Sequence, residues 1–394
     1  MAIVTQSPTD PGFVQNPYPF YAAARAQGAV HHWQDYGIDC AFSFATVNAA
    51  LRDSRLGREC PADQKAPRPP HLKDFYAIDD NSMLELEPPR HTRLRKLVLR
   101  AFTSARVAAM EPGIEATCLA LIDELPAGRF DLLPTYATQV PVRVIARLLG
   151  VPEDMGDQLL AWSNAMVAMY QARRDRVIED AANAAARDFA AYLAELIGTK
   201  RRAPQDDLIS HLIEAGADQD QLSAEELIAN CVLLLNAGHE ATVHTLGNGV
   251  KTLIEHGAKP EWLLPGAIDG TVEEILRFDP PLHMFTRWAY EDVQIGRAEI
   301  RRGQRIGLLL GAAGRDPQMW DDPDTFDPAR PYKAHPAFGA GRHFCVGAPL
   351  ARLELQVALR VLFDRLPGLT ITELPRYADL YHFHGLERLK LSTG

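Results

Sequence analysis

The chain has 394 residues, a formal net charge of −10, 47% hydrophobic residues and 23% charged ones. That balance belongs to a globular enzyme with a large core, and it excludes the basic footprint that binding to nucleic-acid phosphates requires. Five scattered cysteines without a CxxC pair support neither a disulfide framework nor a zinc cluster, and a reducing compartment fits them best.

The first residues lack the basic and apolar regions of a signal peptide, and no run approaches ~18 apolar residues, so a cytoplasmic protein is expected. A short helix from Phe20 to Gln27 follows Asn16-Pro17-Tyr18-Pro19, and alternation over residues 29–44 predicts a small sheet. Leu94, Leu97, Val98 and Ala101 at core spacing predict a helix from about Glu87 to Phe102, with arginines on its other side. Successive amphipathic helices occupy most of 105–260, broken at Pro126-Ala127-Gly128, Gly150-Val151-Pro152 and Ala203-Pro204. The longest should start at Ser223, in a capping box with Glu226, and run to about His256 before Gly257. Another, Ile268 to Phe278, stops at Asp279-Pro280-Pro281, and strand-like pieces follow around 293–310. From Arg315 to Phe344 the chain is proline-rich and aperiodic, a length of loop that a compact domain keeps only if specific contacts pin it. No linker interrupts the sequence. A single mainly α domain with a minor β part is expected over 1–394: a small-sheet region at about 1–60, a helix-rich core at about 87–280 and a C-terminal part at about 281–394.

The densest signal is Phe338-Gly339-Ala340-Gly341-Arg342-His343-Phe344-Cys345-Val346-Gly347. Its glycines remove side chains where the backbone must turn or lie against a ligand, and Ala348-Pro349-Leu350 starts a helix whose N–H groups and dipole favour an anionic sulfur. A single anionic cysteine ligand suggests haem iron, although an inert buried cysteine beside a turn has the same bare composition. The segment fits F-G-x-G-x-H-x-C-x-G at every specified position and so resembles the haem-ligand loop of the cytochrome P-450 family. The resemblance implies a triangular-prism-like domain with haem b between the long central helix and the Cys345 loop. Cys345 is then the axial iron ligand, with Phe338, Gly339 and Gly347 against the haem.

Companion segments extend the resemblance. Glu274 and Arg277, three apart on one helix, form by themselves an ordinary ion pair. They resemble the family's E-x-x-R motif, and Phe326-Asp327-Pro328-Ala329-Arg330 resembles the segment giving a second arginine to the same acid. The three would pin the long loop and take no part in catalysis. His91, Arg95, Arg287 and His343 match the positions that hold haem propionates in bacterial members, where buried anionic groups need cations or donors.

Mid-way along the long helix, Ala237-Gly238-His239-Glu240-Ala241-Thr242 turns from bulky to small side chains, which suits either a flat ligand or helix packing. It is similar to the family's oxygen-side motif A-G-x-[ED]-T, with Ala237 and Gly238 against the haem. Here Ala241 replaces the threonine, and Thr242 comes one place late. One residue rotates a side chain by ~100°, so Thr242 cannot take over that hydroxyl position, and proton delivery is expected from Glu240 with water or a substrate hydroxyl.

The implied function is a haem-thiolate monooxygenase that hydroxylates or otherwise oxygenates a small hydrophobic substrate with dioxygen and two external electrons. The alternatives are a peroxide-driven peroxygenase or isomerase, and less well a haem-based sensor. The chain has no flavin, nicotinamide or ferredoxin-type signature, so a [2Fe-2S]-type ferredoxin with its reductase is the implied donor, docking on the basic face around Arg93, Lys96 and Arg100. Leu282, Met284, Phe285, Tyr381, Phe383, Met166 and Tyr170 are the expected substrate-pocket residues.

Overall fold

A computed structural model describes residues 2–170, 174–215, 222–380 and 383–393. The chain groups into two compact units, one of residues 1–64, 118–137 and 241–394, the other of 65–117 and 138–240. The boundary falls inside the longest helix, Ala224–Glu255, between Glu240 and Ala241.

The first unit holds the β structure. Its main sheet has six strands in the order Ile3–Val4, Val30–Trp33, Ile38–Ala41, Arg305–Leu309, Met284–Ala289 and Leu56–Gly57. Val30–Trp33 runs antiparallel to Ile38–Ala41, which pairs in parallel with Arg305–Leu309, Cys40 facing Gly307. Met284–Ala289 lies antiparallel to Arg305–Leu309 with Arg287 opposite Ile306. One core joins Ala41, Leu51, Ile306 and Leu308, and another joins Tyr21, Trp33, Phe42 and Met284. Helices Ile268–Phe278 and Ala348–Arg365 complete the frame of the long loop. Small C-terminal strands, Arg376–Tyr377 with Leu386–Arg388 and Lys390–Ser392 beside Arg129–Asp131, have no counterpart among the predicted elements. Each has only two or three residues, too few for a period to show.

The second unit is helical. Arg90–Ala101 buries Leu94, Leu97 and Val98 of the predicted apolar stripe, whose fourth side chain, Ala101, lies outside the described residues, and leaves Lys96 and Arg100 exposed. Leu208–Ala215 packs against it, Arg176–Arg202 packs against both Leu208–Ala215 and Gly156–Val167, and Gln139–Leu149 adjoins Gly156–Val167. The long helix begins as the capping box requires: Ser223 N–H donates to Glu226 Oε2 at 3.2 Å, and Glu226 N–H donates to Ser223 Oγ at 3.1 Å. Its 32 residues span ~48 Å at ~1.5 Å each. No described helix is long and apolar enough to cross a membrane.

Candidate functional site

In the first unit, the loop before Cys345 is fixed by backbone geometry. Gly339 and Gly341 both take φ of +69°, which side-chain-bearing residues rarely adopt. A Cβ at Gly341 would stand 2.5 Å from the carbonyl of Leu51, and one at Gly339 would press the Phe285 ring at 3.3 Å. The Cys345 N–H donates to the Phe338 carbonyl at 3.0 Å, closing the loop so that the sulfur precedes Ala348–Arg365 by three residues. Pro349 sits in that helix's first turn, where a missing N–H costs nothing. Gly347 has an ordinary φ of −80°, and a Cβ there would meet only the Cys345 sulfur, at 3.8 Å. The protein's own packing does not demand that glycine. Cys345 and His343 are half-buried, and Phe344 is exposed.

Much of the rest of the long loop hangs on the buried carboxylate of Glu274. Glu274 receives Arg277 through two bonds of 2.7 Å, accepts the Asp327 N–H at 2.9 Å, and has Arg330 Nε at 3.5 Å. Arg277 also donates to the carbonyls of Gly314, Pro323 and Thr325, and Arg330 to those of Asp321, Asp322 and Thr325. A segment with few regular hydrogen bonds is thus held through guanidinium-to-carbonyl bonds. Beside this set lies another that motif reading missed. Arg352 grips Glu273 through Nε (2.5 Å) and Nη2 (3.0 Å), His335 stands 3.1 Å from the same carboxylate, and the Arg352 guanidinium lies 4.5 Å over the Phe338 ring. Burial alone would raise the Glu273 pKa, but these two partners prevail and hold it down to about 2. Its only signal in sequence was adjacency to Glu274.

Strand Met284–Ala289 sorts the residues expected near a ligand. Arg287 is buried and donates to the Thr286 carbonyl at 2.8 Å. Phe285 packs under Gly339, so it supports the cysteine loop. Met284 is buried in the core cluster of Tyr21, Trp33 and Phe42, and strand alternation turns it to the face opposite Phe285. Leu282 is bridged antiparallel to Phe383. Tyr381 lies outside the described residues.

In the second unit, His91 is buried and Arg95 half-buried on the basic helix. Arg93 is not a free docking charge. It donates to Glu226 at 2.5 Å, and Arg90 lies 3.6 Å from the same carboxylate. On the long helix Ala237 is exposed amid buried Leu233, Leu234 and Leu235. Gly238 also meets a packing need, because a Cβ there would stand 3.1 Å from the Ile145 side chain. His239 is held by the Leu235 carbonyl through Nδ1 (2.9 Å), with Nε2 3.5 Å from Glu240. Glu240 and Ala241 are partly exposed while Thr242 is buried, as expected for neighbours ~100° apart on a helix. Met166 is buried, with its sulfur 3.9 Å from Asn236 Nδ2. The Tyr170 hydroxyl donates to Asp79 at 2.9 Å, and burial pushes that carboxyl up to about 6.

Comparison with known proteins bears on this set of residues. A family model described as Cytochrome P450 matches residues 267–367, the stretch carrying Glu274, Arg277, Arg330 and Cys345. The chain is 34% identical over 398 residues to the biotin biosynthesis cytochrome P450 of Bacillus subtilis (strain 168), covering 99% of both. It is 39% identical to the vitamin D(3) 25-hydroxylase of Pseudonocardia autotrophica, covering 97% of this chain and 95% of that one. The crystal structure of P450BioI in complex with hexadec-9Z-enoic acid ligated acyl carrier protein superposes with a TM-score of 0.89 at 35% identity, over 97% of this chain and 99% of that chain.

Proposed function

The chain belongs to the cytochrome P450 family and is a haem b monooxygenase of small organic substrates, and on that premise we propose which of its residues do the work. Cys345 holds the iron as a thiolate, and His91, Arg95, Arg287 and His343 receive the propionates. The 394 residues act as one catalytic domain. The observation carrying this reading is the Cys345 loop itself, closed by its bond to Phe338 and bare of side chain at Gly347 beside the sulfur. The donor set fits the group: a half-buried cysteine at a helix start, with buried His91 and Arg287 as cationic or donor groups for propionates. Ala237 supports it too, as an exposed small residue just after buried Leu233, Leu234 and Leu235 that offers a flat surface.

Haem with a thiolate ligand supplies dioxygen activation and the insertion of one oxygen atom into an organic substrate. The protein's part is positioning and proton supply. Ala348–Arg365 directs its N-terminal N–H groups and positive dipole end towards the segment bearing the sulfur, favouring the anion. Glu240 is the proton-carrying group on the partly exposed surface of the long helix, with His239 beside it, and the Thr242 hydroxyl lies buried behind that surface. Leu282, Phe383, Met166 and Tyr170 contact a hydrophobic substrate. The relatives named for a 25-hydroxylase and for a fatty-acyl carrier complex support that class. A cytoplasmic [2Fe-2S]-type ferredoxin and its reductase supply the electrons.

The test is spectroscopic. The reduced, carbon monoxide-bound enzyme should show the red-shifted Soret band of thiolate ligation, and Cys345→His should replace it with an imidazole-type spectrum. An imidazole-type spectrum from the wild type would remove Cys345 as ligand.

A further inference from the structure

We infer that Asp279, His283 and His384 form a binding site for one divalent transition-metal ion of the zinc type, separate from the residues assigned to haem. Among the described residues they are the group in which three such side chains converge, with one ligand atom from each lying within 4.8 Å of the others. All three are buried, at 4%, 9% and 7% exposure, where unpaired polar groups are costly.

The chain places them by backbone and not by chance contact of mobile side chains. Asp279 caps the helix Ile268–Phe278, and His283 follows Pro280-Pro281-Leu282. His384 comes from the C-terminal segment, tied by its N–H to the Pro281 carbonyl at 2.7 Å and by its carbonyl to Asn248 Nδ2 at 2.8 Å. His384 Nε2 stands 3.4 Å from Asp279 Oδ1, and the two imidazole rings are 4.3 Å apart. A tetrahedral ion with bonds of ~2.0–2.1 Å sets its ligands about 3.3 Å from one another, so the Asp279–His384 separation already matches one edge.

The surrounding tyrosines do what outer partners of a metal site do. Tyr21 Oη lies 3.1 Å from His283 Nδ1, which leaves Nε2 turned to the cluster. Tyr377 donates to Asp279 Oδ2 at 2.5 Å while its ring stacks on His384 at 3.8 Å, and Tyr18 Oη donates to Oδ1 at 2.7 Å, so that the ion would share Oδ1 with that hydroxyl. Tyr18 Oη, 2.7 Å from Oδ1 and 3.5 Å from His283 Nε2, stands where a fourth ligand belongs. Two cations oppose the ion, Arg315 over the Tyr18 ring at 3.5 Å and Lys251 over the Tyr377 ring at 5.4 Å. Two nitrogens and one oxygen favour zinc, cobalt, nickel or copper over magnesium or calcium, which prefer all-oxygen sets.

The experiment uses tag-free, haem-loaded enzyme stripped with a chelator and titrated with zinc against a chromophoric competitor. Wild type should take up one zinc per chain with a rise in Tm, and His283→Asn and His384→Phe should each weaken uptake at least about tenfold with the carbon monoxide spectrum intact. Because either variant could fail to fold, zinc-edge X-ray absorption of the loaded wild type is read as well, with two imidazoles and light oxygen ligands expected. No uptake by wild type, uptake unchanged in both folded variants, or an edge dominated by sulfur or by water alone overturns the site.

Discussion

At the scale of single residues, the proton supply turns on the side chain at position 241. Ala241 carries no hydroxyl, Thr242 is buried, and Glu240 is the partly exposed acid between His239 and Ala241. If Glu240 with solvent already does the work, Ala241→Thr should change product formed per reductant consumed by less than about twofold, whereas Glu240→Gln should cut turnover by about 10²-fold, the usual worth of a positioned acid. A large gain in coupling from Ala241→Thr would show that the native route is deficient. The neighbouring glycine shows what sequence could and could not reveal. Small residues at 237 and 238 both suit a flat ligand, and nothing local in the sequence signals that a Cβ at 238 would also meet Ile145, nearly a hundred positions away. Strand alternation alone separates Met284, in the core, from Phe285, under Gly339.

At the scale of elements, the helix Ile268–Phe278 holds the proline-rich loop through two adjacent carboxylates. Glu274 is nearly fully buried, and Arg277 neutralises it through two 2.7 Å bonds. Arg277→Ala strands a buried carboxylate and should cost about 3–5 kcal/mol in chemical denaturation, with loss of bound haem, whereas Arg277→Lys keeps the charge, loses the fork and should fall between. Glu273 supplies the acid-side prediction. Its folded pKa of about 2 lies below its ordinary 4.5, so its contribution is complete above about pH 4.5 and disappears as pH falls towards 2. The stability gap between wild type and Glu273→Gln should therefore be widest at pH 6 and shrink by pH 3.5, and a constant gap would mean that the bonds to Arg352 and His335 do not bias ionisation. The long helices and the helix at 268 were legible because their caps and apolar spacing are local, as the Ser223–Glu226 box shows. The partners of Glu273 were not, since Arg352 and His335 reach it from 79 and 62 residues away.

At the scale of the whole molecule, a net charge of −10 makes any basic face a directional signal to an acidic donor protein. The helix Arg90–Ala101 supplies such a face, but its charges are not equivalent. Arg93 is spent on Glu226 with Arg90 nearby, so its reversal would disturb the start of the long helix, while Lys96 and Arg100 are exposed. Lys96→Glu with Arg100→Glu should therefore slow association with a reduced [2Fe-2S] ferredoxin by about tenfold or more at low ionic strength, within the known range of electrostatic steering. The deficit should shrink at ~1 M salt, where the screening length falls to ~3 Å and the wild type loses the same advantage. The carbon monoxide spectrum should be unchanged, since neither residue belongs to the proposed haem set. Arg93→Glu serves as the contrast: a loss of rate that persists at high salt, accompanied by lowered stability, would mark a folding defect and not lost steering. Equal, salt-insensitive reduction rates for wild type and the Lys96/Arg100 double variant would place the electron donor on another face.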